Sequence, residues 1–480
     1  VPLSGRGFPR LPGHTKKAKS SDKVKIAERR SILIAMDFIG VNAALLFSLA
    51  LRPEYWLGPG LIFKHPHWFL ILVAVWFPLA YAFDCYDPKI VGRFSETAKA
   101  RIKTGLVASL IYLLIPFLTP PLPSSRLLFL SLPLFLLCLT IGVSGICDLA
   151  HSRSFFRQRT LVIGAGRAGK EIARVLREQG GGVYDIVGFV DDDPAKKDAA
   201  VDGIKVLGDR YALLDLIRKH QIKTLILAIK REVNDEFLQI LTDCLELGFE
   251  IVPMPVLYEK LTGRVPIEHV GSQWRVAMPL QNPGDRLLWA ATKRLMDIVL
   301  VSLGFVCLAV AMPFIAAAIY IDSPGPIFYT QMRVGKGGRI FKAYKFRSMQ
   351  PRAENDGPVW AARNDPRATR VGRLLRKTHV DEFPQFWNIL KGEMSVVGPR
   401  SERPEFVQEL AREIPFYKVR HAVRPGMAGW GLVKQGYGGS KEEAVLKLQY
   451  DLYYIKHQSL WLDIVILIKT IIDTLTFRGR

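Results

Sequence analysis

The chain has 480 residues, 49% of them hydrophobic, and 66 Lys+Arg against 44 Asp+Glu give it a formal net charge of +22. It is too apolar for intrinsic disorder, too long for one small domain, and its mean hydropathy of +0.15 is high for a purely soluble enzyme. The cationic excess calls for an anionic partner, and the apolar runs below favour anionic lipid and a phosphorylated substrate over nucleic acid. The cysteines (Cys85, Cys138, Cys147, Cys244, Cys307) follow no metal-ligand spacing, which argues against a disulfide framework or a zinc site.

Four apolar runs open the chain: Ser31–Leu51, which carries the single acid Asp37, then Trp68–Phe83, Leu106–Leu118 and Leu127–Cys147. Each comes close to the roughly 20 helical residues that cross a bilayer core, and aromatic residues sit near several of their ends. No small-residue cleavage site follows the first run, so a signal peptide is not expected. Residues 1–30 are rich in Lys and Arg, and His151–Arg159 is basic again. By the positive-inside bias both ends of a four-span bundle then face the cytoplasm.

Residues 159–256 alternate strand and helix patterns. Strands are expected at Thr160–Ile163, Ile186–Val190, Thr224–Ile229 and Glu250–Val252, with amphipathic helices near 210–219 and 235–246. This predicts a parallel sheet with helices packed on it. Gly164, Gly166 and Gly169 follow the first strand and open a helix, the spacing that lets a pyrophosphate approach a helix N-terminus, and Asp191 ends the second strand where an acid meets a ribose. The pattern fits a bound nucleotide or dinucleotide, but a glycine turn kept for structural or regulatory use fits it better. A dehydratase or epimerase would add Tyr-x-x-x-Lys on a helix of this domain; the spacing occurs only at Tyr437–Lys441, in a glycine-rich loop.

Ile298–Ile321 is free of charge, yet Lys293 and Arg294 precede it and Arg333, Lys336, Arg339, Lys342, Lys345 and Arg347 follow. A span would put that second basic face outside, against the charge bias. Pro313 removes a backbone hydrogen bond in mid-run and favours a bend, so a re-entrant helix satisfies both facts; the alternative is a fifth span. Thr330–Phe341 reads as a hairpin. Pro384 and Gly392 bracket a short helix and place Asp381 and Glu382 at its N-terminus, either as caps or as catalytic acids. A carboxylate facing a diphosphate needs cations around it. Lys345, Arg347, Arg376 and Arg400 are available, and Mg2+ suits oxygen ligands. Farther on, Leu460–Ile472 is apolar apart from Asp463 and Lys469, as an interfacial or a packed core helix would be.

Tyr344–Met349, Asp381–Gly392 and Glu393–Arg400, in that order, resemble the motifs of the bacterial polyprenyl-phosphate glycosyl-1-phosphate transferases of the monotopic class. The resemblance covers about 290–480, and the whole layout is similar to the large members of that class. It implies a multidomain membrane protein: a basic tail with a four-helix transmembrane bundle (1–152), an α/β Rossmann-like cytoplasmic domain (153–280) and an α/β transferase domain (281–480) whose re-entrant helix, about 294–322, is kinked at Pro313. Where the family commonly has serine before that proline, this chain has Met312. The implied reaction moves a sugar-1-phosphate from a UDP-sugar, glucose or galactose first, to undecaprenyl phosphate at the bacterial inner membrane. It begins exopolysaccharide, capsule or O-antigen assembly. Asp381 is implied as nucleophile and metal ligand, with Glu382 helping to hold Mg2+ or orient the site, and Lys345, Arg376 and Arg400 as phosphate ligands; Arg347 is either a further phosphate ligand or a solvated surface residue. A homodimer is also implied. The rival readings are a membrane-tethered nucleotide-sugar dehydratase or epimerase and a non-catalytic membrane sensor or scaffold.

Overall fold

The computed structural model describes residues 26–55, 59–87, 90, 94–123, 125–152, 158–180, 182–229, 234–269, 286–351, 365–435 and 440–476. The basic segment before residue 26 and Tyr437 therefore lie outside the described residues.

Helices α1 (Ile26–Ala50), α2 (Pro66–Ala82), α3 (Phe94–Leu114) and α4 (Ser131–Ser152) pack in a ring, α1 on α2 and α4, and α3 on α2 and α4. Val41, Leu45, Leu49, Leu72, Trp76, Ala108 and Leu136 fill the centre. Arg30–Ala50 and Leu127–Ile146 are long and apolar enough to cross a membrane, and Pro66–Ala82 is a shorter apolar helix. The third expected run is displaced. Leu106–Leu118 is only the end of α3, which begins at Phe94, runs through Arg101 and stops ahead of Pro116, where the proline ring disfavours a helical predecessor. Its charge is tolerated because Arg101 donates to Asp37 at 2.5 Å, with both side chains 0% exposed. Tyr86 donates to the other oxygen of Asp37 at 2.7 Å. The lone acid of α1 is thus one half of an internal pair.

The middle domain is a six-stranded sheet in the order β3-β4-β2-β1-β5-β6, formed by β1 (Gln158–Ile163), β2 (Tyr184–Val190), β3 (Ala200–Val201), β4 (Ile204–Gly208), β5 (Thr224–Leu227) and β6 (Glu250–Pro253). All pairings are parallel except β3 with β4. Between them run α5 (Arg167–Gln179), α6 (Leu213–His220) and α7 (Asp235–Glu246), and α8 (Met254–Thr262) follows β6. Gly164 sits at φ +103°, and a Cβ on Gly169 would collide with the Gly164 carbonyl, so the turn and its helix need both glycines.

The C-terminal unit starts with α9 (Arg286–Asp322), a 37-residue helix containing Pro313. Only 11% of its most apolar stretch is buried inside the protein. Antiparallel β7 (Phe328–Val334) and β8 (Ile340–Phe346) form the expected hairpin. Next come α10 (Arg370–Lys377), a 3-10 segment (Val380–Gln385), α11 (Phe386–Lys391) and β9 (Ser395–Val397). Helix α12 (Pro404–Glu413) leads to β10 (Gly426–Ala428), which pairs in parallel with β9. The chain ends in α13 (Trp430–Gln435), α14 (Lys441–Lys456) and α15 (Leu460–Leu475). Helix α9 is fastened to this unit along its length. Val301 packs with Phe341, Ile389 and Met394, and Leu308 and Ile319 pack with Phe346 and Leu375.

Candidate active site

The acid pair does not stand at the N-terminus of an α-helix, as the Pro384–Gly392 bracket suggested. Asp381 and Glu382 lie inside the 3-10 segment, with Pro384 in the same segment, and α11 begins only at Phe386. Proline's missing N–H and the left-handed backbone of His379 (φ 57°) keep this stretch from joining a longer helix. Gly392, at φ 82°, ends α11 as expected. Asn388 is fully buried and braces α11 against the hairpin. Its amide donates to the Lys342 carbonyl at 2.8 Å and to Glu393 at 2.7 Å, and its oxygen accepts from the Tyr344 N–H at 3.2 Å. Arg294 of α9 donates to the Ile389 and Leu390 carbonyls at 2.6 and 2.7 Å, closing the C-terminus of α11.

Three of the four expected cations converge on the pair. Lys345, at the end of β8, donates to Glu382 at 2.6 Å. Arg400, just past β9, takes both oxygens of the same carboxylate at 2.5 and 3.0 Å, the fork geometry that favours arginine over lysine. Burial alone would raise the Glu382 carboxyl, but Arg400 and Lys345 outweigh it and hold it well below the usual range. Asp381 is also buried and has no hydrogen-bond partner among the described residues. Burial, then the charge of Glu382, push its carboxyl up to about 7, against the opposing pull of Lys345, Arg400 and half-buried Arg376. Two neighbouring acids thus sit in opposite states, one locked as a carboxylate and one poised near neutrality.

Arg347 takes another position. Its buried guanidinium donates to the Ser323 carbonyl just beyond α9, and its own N–H bonds the Ile327 carbonyl at 2.8 Å, so it clasps the loop leaving the apolar helix. Several charged residues that motif reading missed stand behind the pair. Arg420 donates to the Arg400 carbonyl at 2.9 Å and to Asp451 at 2.8 Å, and Lys447 donates to Glu402 at 2.6 Å, with Arg333 3.7 Å from the same acid. Burial would raise Glu402, yet Lys447, Arg420 and Arg333 bring it to about 2. These partners are far apart in sequence, so no local spacing announces them.

In the middle domain the expected ribose acid is occupied. One oxygen of Asp191 accepts from the Ala165 N–H at 2.7 Å and the other from the Asp193 N–H at 3.0 Å, while Lys196 lies 3.2 Å from both. The carboxylate therefore closes the glycine turn from inside. Gly166 is the residue before α5, whose N-terminus carries the exposed Arg167.

A family model described as "Bacterial sugar transferase" matches residues 288–477, and one described as "CoA-binding domain" matches residues 81–255. The chain is 42% identical over 248 residues to the UDP-N-acetylgalactosamine-undecaprenyl-phosphate N-acetylgalactosaminephosphotransferase of Aeromonas hydrophila, covering 52% of this chain and 57% of that relative's own length. It is 30% identical over 353 residues to the UDP-glucose:undecaprenyl-phosphate glucose-1-phosphate transferase of Xanthomonas campestris pv. campestris, covering 69% of this chain and 72% of the relative. The exopolysaccharide production protein PSS of Rhizobium leguminosarum bv. phaseoli is 39% identical over 197 residues, which make up 39% of this chain and 96% of that protein. With the transferase motifs gathered around one buried acid pair, and relatives matched over most of their length, the chain belongs to the bacterial sugar transferase family.

Proposed function

We propose that this enzyme transfers a sugar-1-phosphate from a UDP-sugar to undecaprenyl phosphate and releases UMP, through a covalent intermediate on Asp381. The observation that carries the reading is the division of labour in the acid pair. Glu382 is neutralised by Lys345 and Arg400, whereas Asp381 is buried, has no hydrogen-bond partner among the described residues, and faces Lys345, Arg400 and Arg376, whose positive charge favours its ionised form. A carboxylate oxygen of Asp381 attacks the sugar-bearing phosphorus and the bond to the UMP oxygen breaks. An oxygen of the lipid phosphate then attacks the same phosphorus. The bond to Asp381 breaks, giving the polyprenyl-diphospho-sugar and restoring the carboxylate. Arg400, Arg376 and Lys345 offset the charge of the transferring phosphoryl oxygens.

No cluster of three or more His, Cys, Asp or Glu occurs among the described residues. Mg2+ commonly takes one or two carboxylates and fills its shell with substrate phosphates and water. Asp381 would hold it, with Glu382, whose oxygens already accept from Arg400 and Lys345, orienting the site beside it, and when bound it would screen the diphosphate from the acids. The donor sugar is a hexose. Glucose and galactose follow from the motif resemblance, and the relatives' names add N-acetylgalactosamine.

The four-helix bundle is read as spanning the bacterial inner membrane, with the site on the cytoplasmic face, and α9 as re-entrant. Asp297 accepts from the Ser395 hydroxyl and the Val396 N–H, both at 2.9 Å, and Asp322 accepts from the Val371 N–H at 2.8 Å. These anchors are about 37 Å apart along a straight helix, more than a hydrocarbon core, yet both belong to one folded unit. A helix crossing the bilayer would hold them on opposite sides.

The test is UMP release by purified protein with Mg2+, undecaprenyl phosphate and a panel of UDP-glucose, UDP-galactose and UDP-N-acetylgalactosamine, beside Asp381→Asn. Release with one donor, lost in the variant, is expected. Full activity in Asp381→Asn would contradict the assignment.

A further inference from the structure

The turn at the cytoplasmic end of α2 is held from both sides. Within the bundle, Tyr86 donates to Asp37 at 2.7 Å, Asp37 pairs with Arg101, and Cys85 lies 3.3 Å from the Thr104 hydroxyl. From the catalytic unit, Lys469 of α15 donates to the Ala82 carbonyl at 2.6 Å and to Asp84 at 2.9 Å, and Lys434 of α13 reaches the other oxygen of Asp84 at 3.4 Å. Trp461 packs edge-on against Tyr81, with ring centroids 4.9 Å apart, and Ile468 joins the bundle core. Asp84 itself has a left-handed backbone at φ 60°, uncommon for a residue other than glycine and maintained only where surroundings impose it.

The two lysines sit on the elements that position the active site. Helix α13 directly follows β10, whose partner β9 leads into Arg400. Helix α15 also carries Asp463, which accepts from Lys293 of α9 at 2.6 Å. The grip on Asp84 is therefore connected both to the clamp on Glu382 and to the root of the apolar helix. The transferase match itself begins only at residue 288, and the relative matched over 96% of its length pairs with 39% of this chain, so the family's core does not include the bundle.

We propose that the turn Ala82–Tyr86 is a docking joint through which the bundle sets the catalytic unit against the bilayer surface, with Asp84 a positioning residue for the lipid acceptor. This rests on the reading of the site as one that receives a lipid phosphate. A soluble UDP-sugar reaches the site from water and is indifferent to its height, whereas a membrane-bound phosphate is not. Disturbing the joint thus separates the two half-reactions.

The experiment uses the full chain in nanodiscs of phosphatidylethanolamine and phosphatidylglycerol. Asp84→Lys places a third cation against Lys434 and Lys469; Asp84→Asn is the mild variant; and the triple exchange Asp84→Lys with Lys434→Asp and Lys469→Asp restores the attraction. The expected result is a KM for undecaprenyl phosphate raised about tenfold in Asp84→Lys, less in Asp84→Asn, and largely recovered in the exchange, while UMP release from the donor without acceptor is unchanged. An acceptor KM within twofold of the parent in both single variants overturns the joint, as does an equal loss in the donor half-reaction. Should the parent release no UMP from any donor, the functional reading fails separately. Hydrogen exchange then judges the joint: faster exchange at Trp430–Gln435 and Leu460–Leu475 in Asp84→Lys, reversed in the exchange, supports it, and unchanged protection overturns it.

Discussion

At the scale of single residues, the adjacent acids Asp381 and Glu382 should respond in opposite ways to losing their charge. Glu382→Gln leaves Lys345 and Arg400 buried beside a neutral amide, so it should cost on the order of 3–5 kcal/mol and lower the melting temperature sharply. Asp381→Asn removes a carboxylate that burial disfavours. An acid whose carboxyl is raised from 3.8 to about 7 in the folded state binds more protons folded than unfolded across that interval, so its contribution to stability falls as pH rises through it. Asp381→Asn should therefore melt above the parent at pH 8, with the gap narrowing below pH 7 and closing near pH 4; a variant less stable than the parent at pH 8 would show that Asp381 makes favourable contacts as an anion. The proposed nucleophile acts deprotonated, and burial raises its carboxyl, so kcat/KM for the donor should fall as pH is lowered. A profile flat from pH 5 to 8 would mean that Asp381 is ionised throughout.

At the scale of elements, the site depends on how the hairpin, the 3-10 segment and α11 are braced. Asn388→Ala would orphan the Tyr344 N–H and the Lys342 carbonyl on the strand that carries Lys345. A loss of about 2–3 kcal/mol is expected, read as a lower denaturation midpoint, together with a slower donor half-reaction. A midpoint unchanged within error would show that water replaces the amide. Much of this level was legible in the sequence. Glycine spacing marked the turn after β1, a glycine turn marked the hairpin of β7 and β8, and Gly392 marked the end of α11. The displaced elements share one cause, since apolar runs reveal only residues that face lipid or core. Arg101 broke the pattern of α3 until Asp37, far away in sequence, supplied its partner. The motifs located Asp381, Glu382, Lys345 and Arg400, but not the difference between the two acids, which comes from Arg400 folding back onto one of them. Arg347 illustrates the converse: its motif position suggested phosphate, while tertiary packing gave it the Ser323 carbonyl.

At the scale of the molecule, two units meet at the catalytic one. The bundle does so through Asp84. The middle domain does so through Glu259, which accepts from Lys456 at 2.9 Å, and through the Gly263 carbonyl, which accepts from the Trp430 indole at 3.1 Å. Topology is the property of this assembly most open to direct test. Single cysteines at Leu288 and Gln331, in a Cys-free background, should both be labelled by a membrane-impermeant maleimide only after the cytoplasmic face is opened; labelling of position 331 from outside would make α9 a fifth span. The covalent step on Asp381 is open to intact-protein mass spectrometry after mixing with the UDP-sugar and Mg2+, without lipid acceptor. About one UMP released per protein is expected, with a mass gain equal to one sugar phosphate less one water, its location on the peptide containing Asp381, and its discharge when undecaprenyl phosphate is added. UMP appearing only when donor and acceptor are both present, with no adduct at any time, would contradict it.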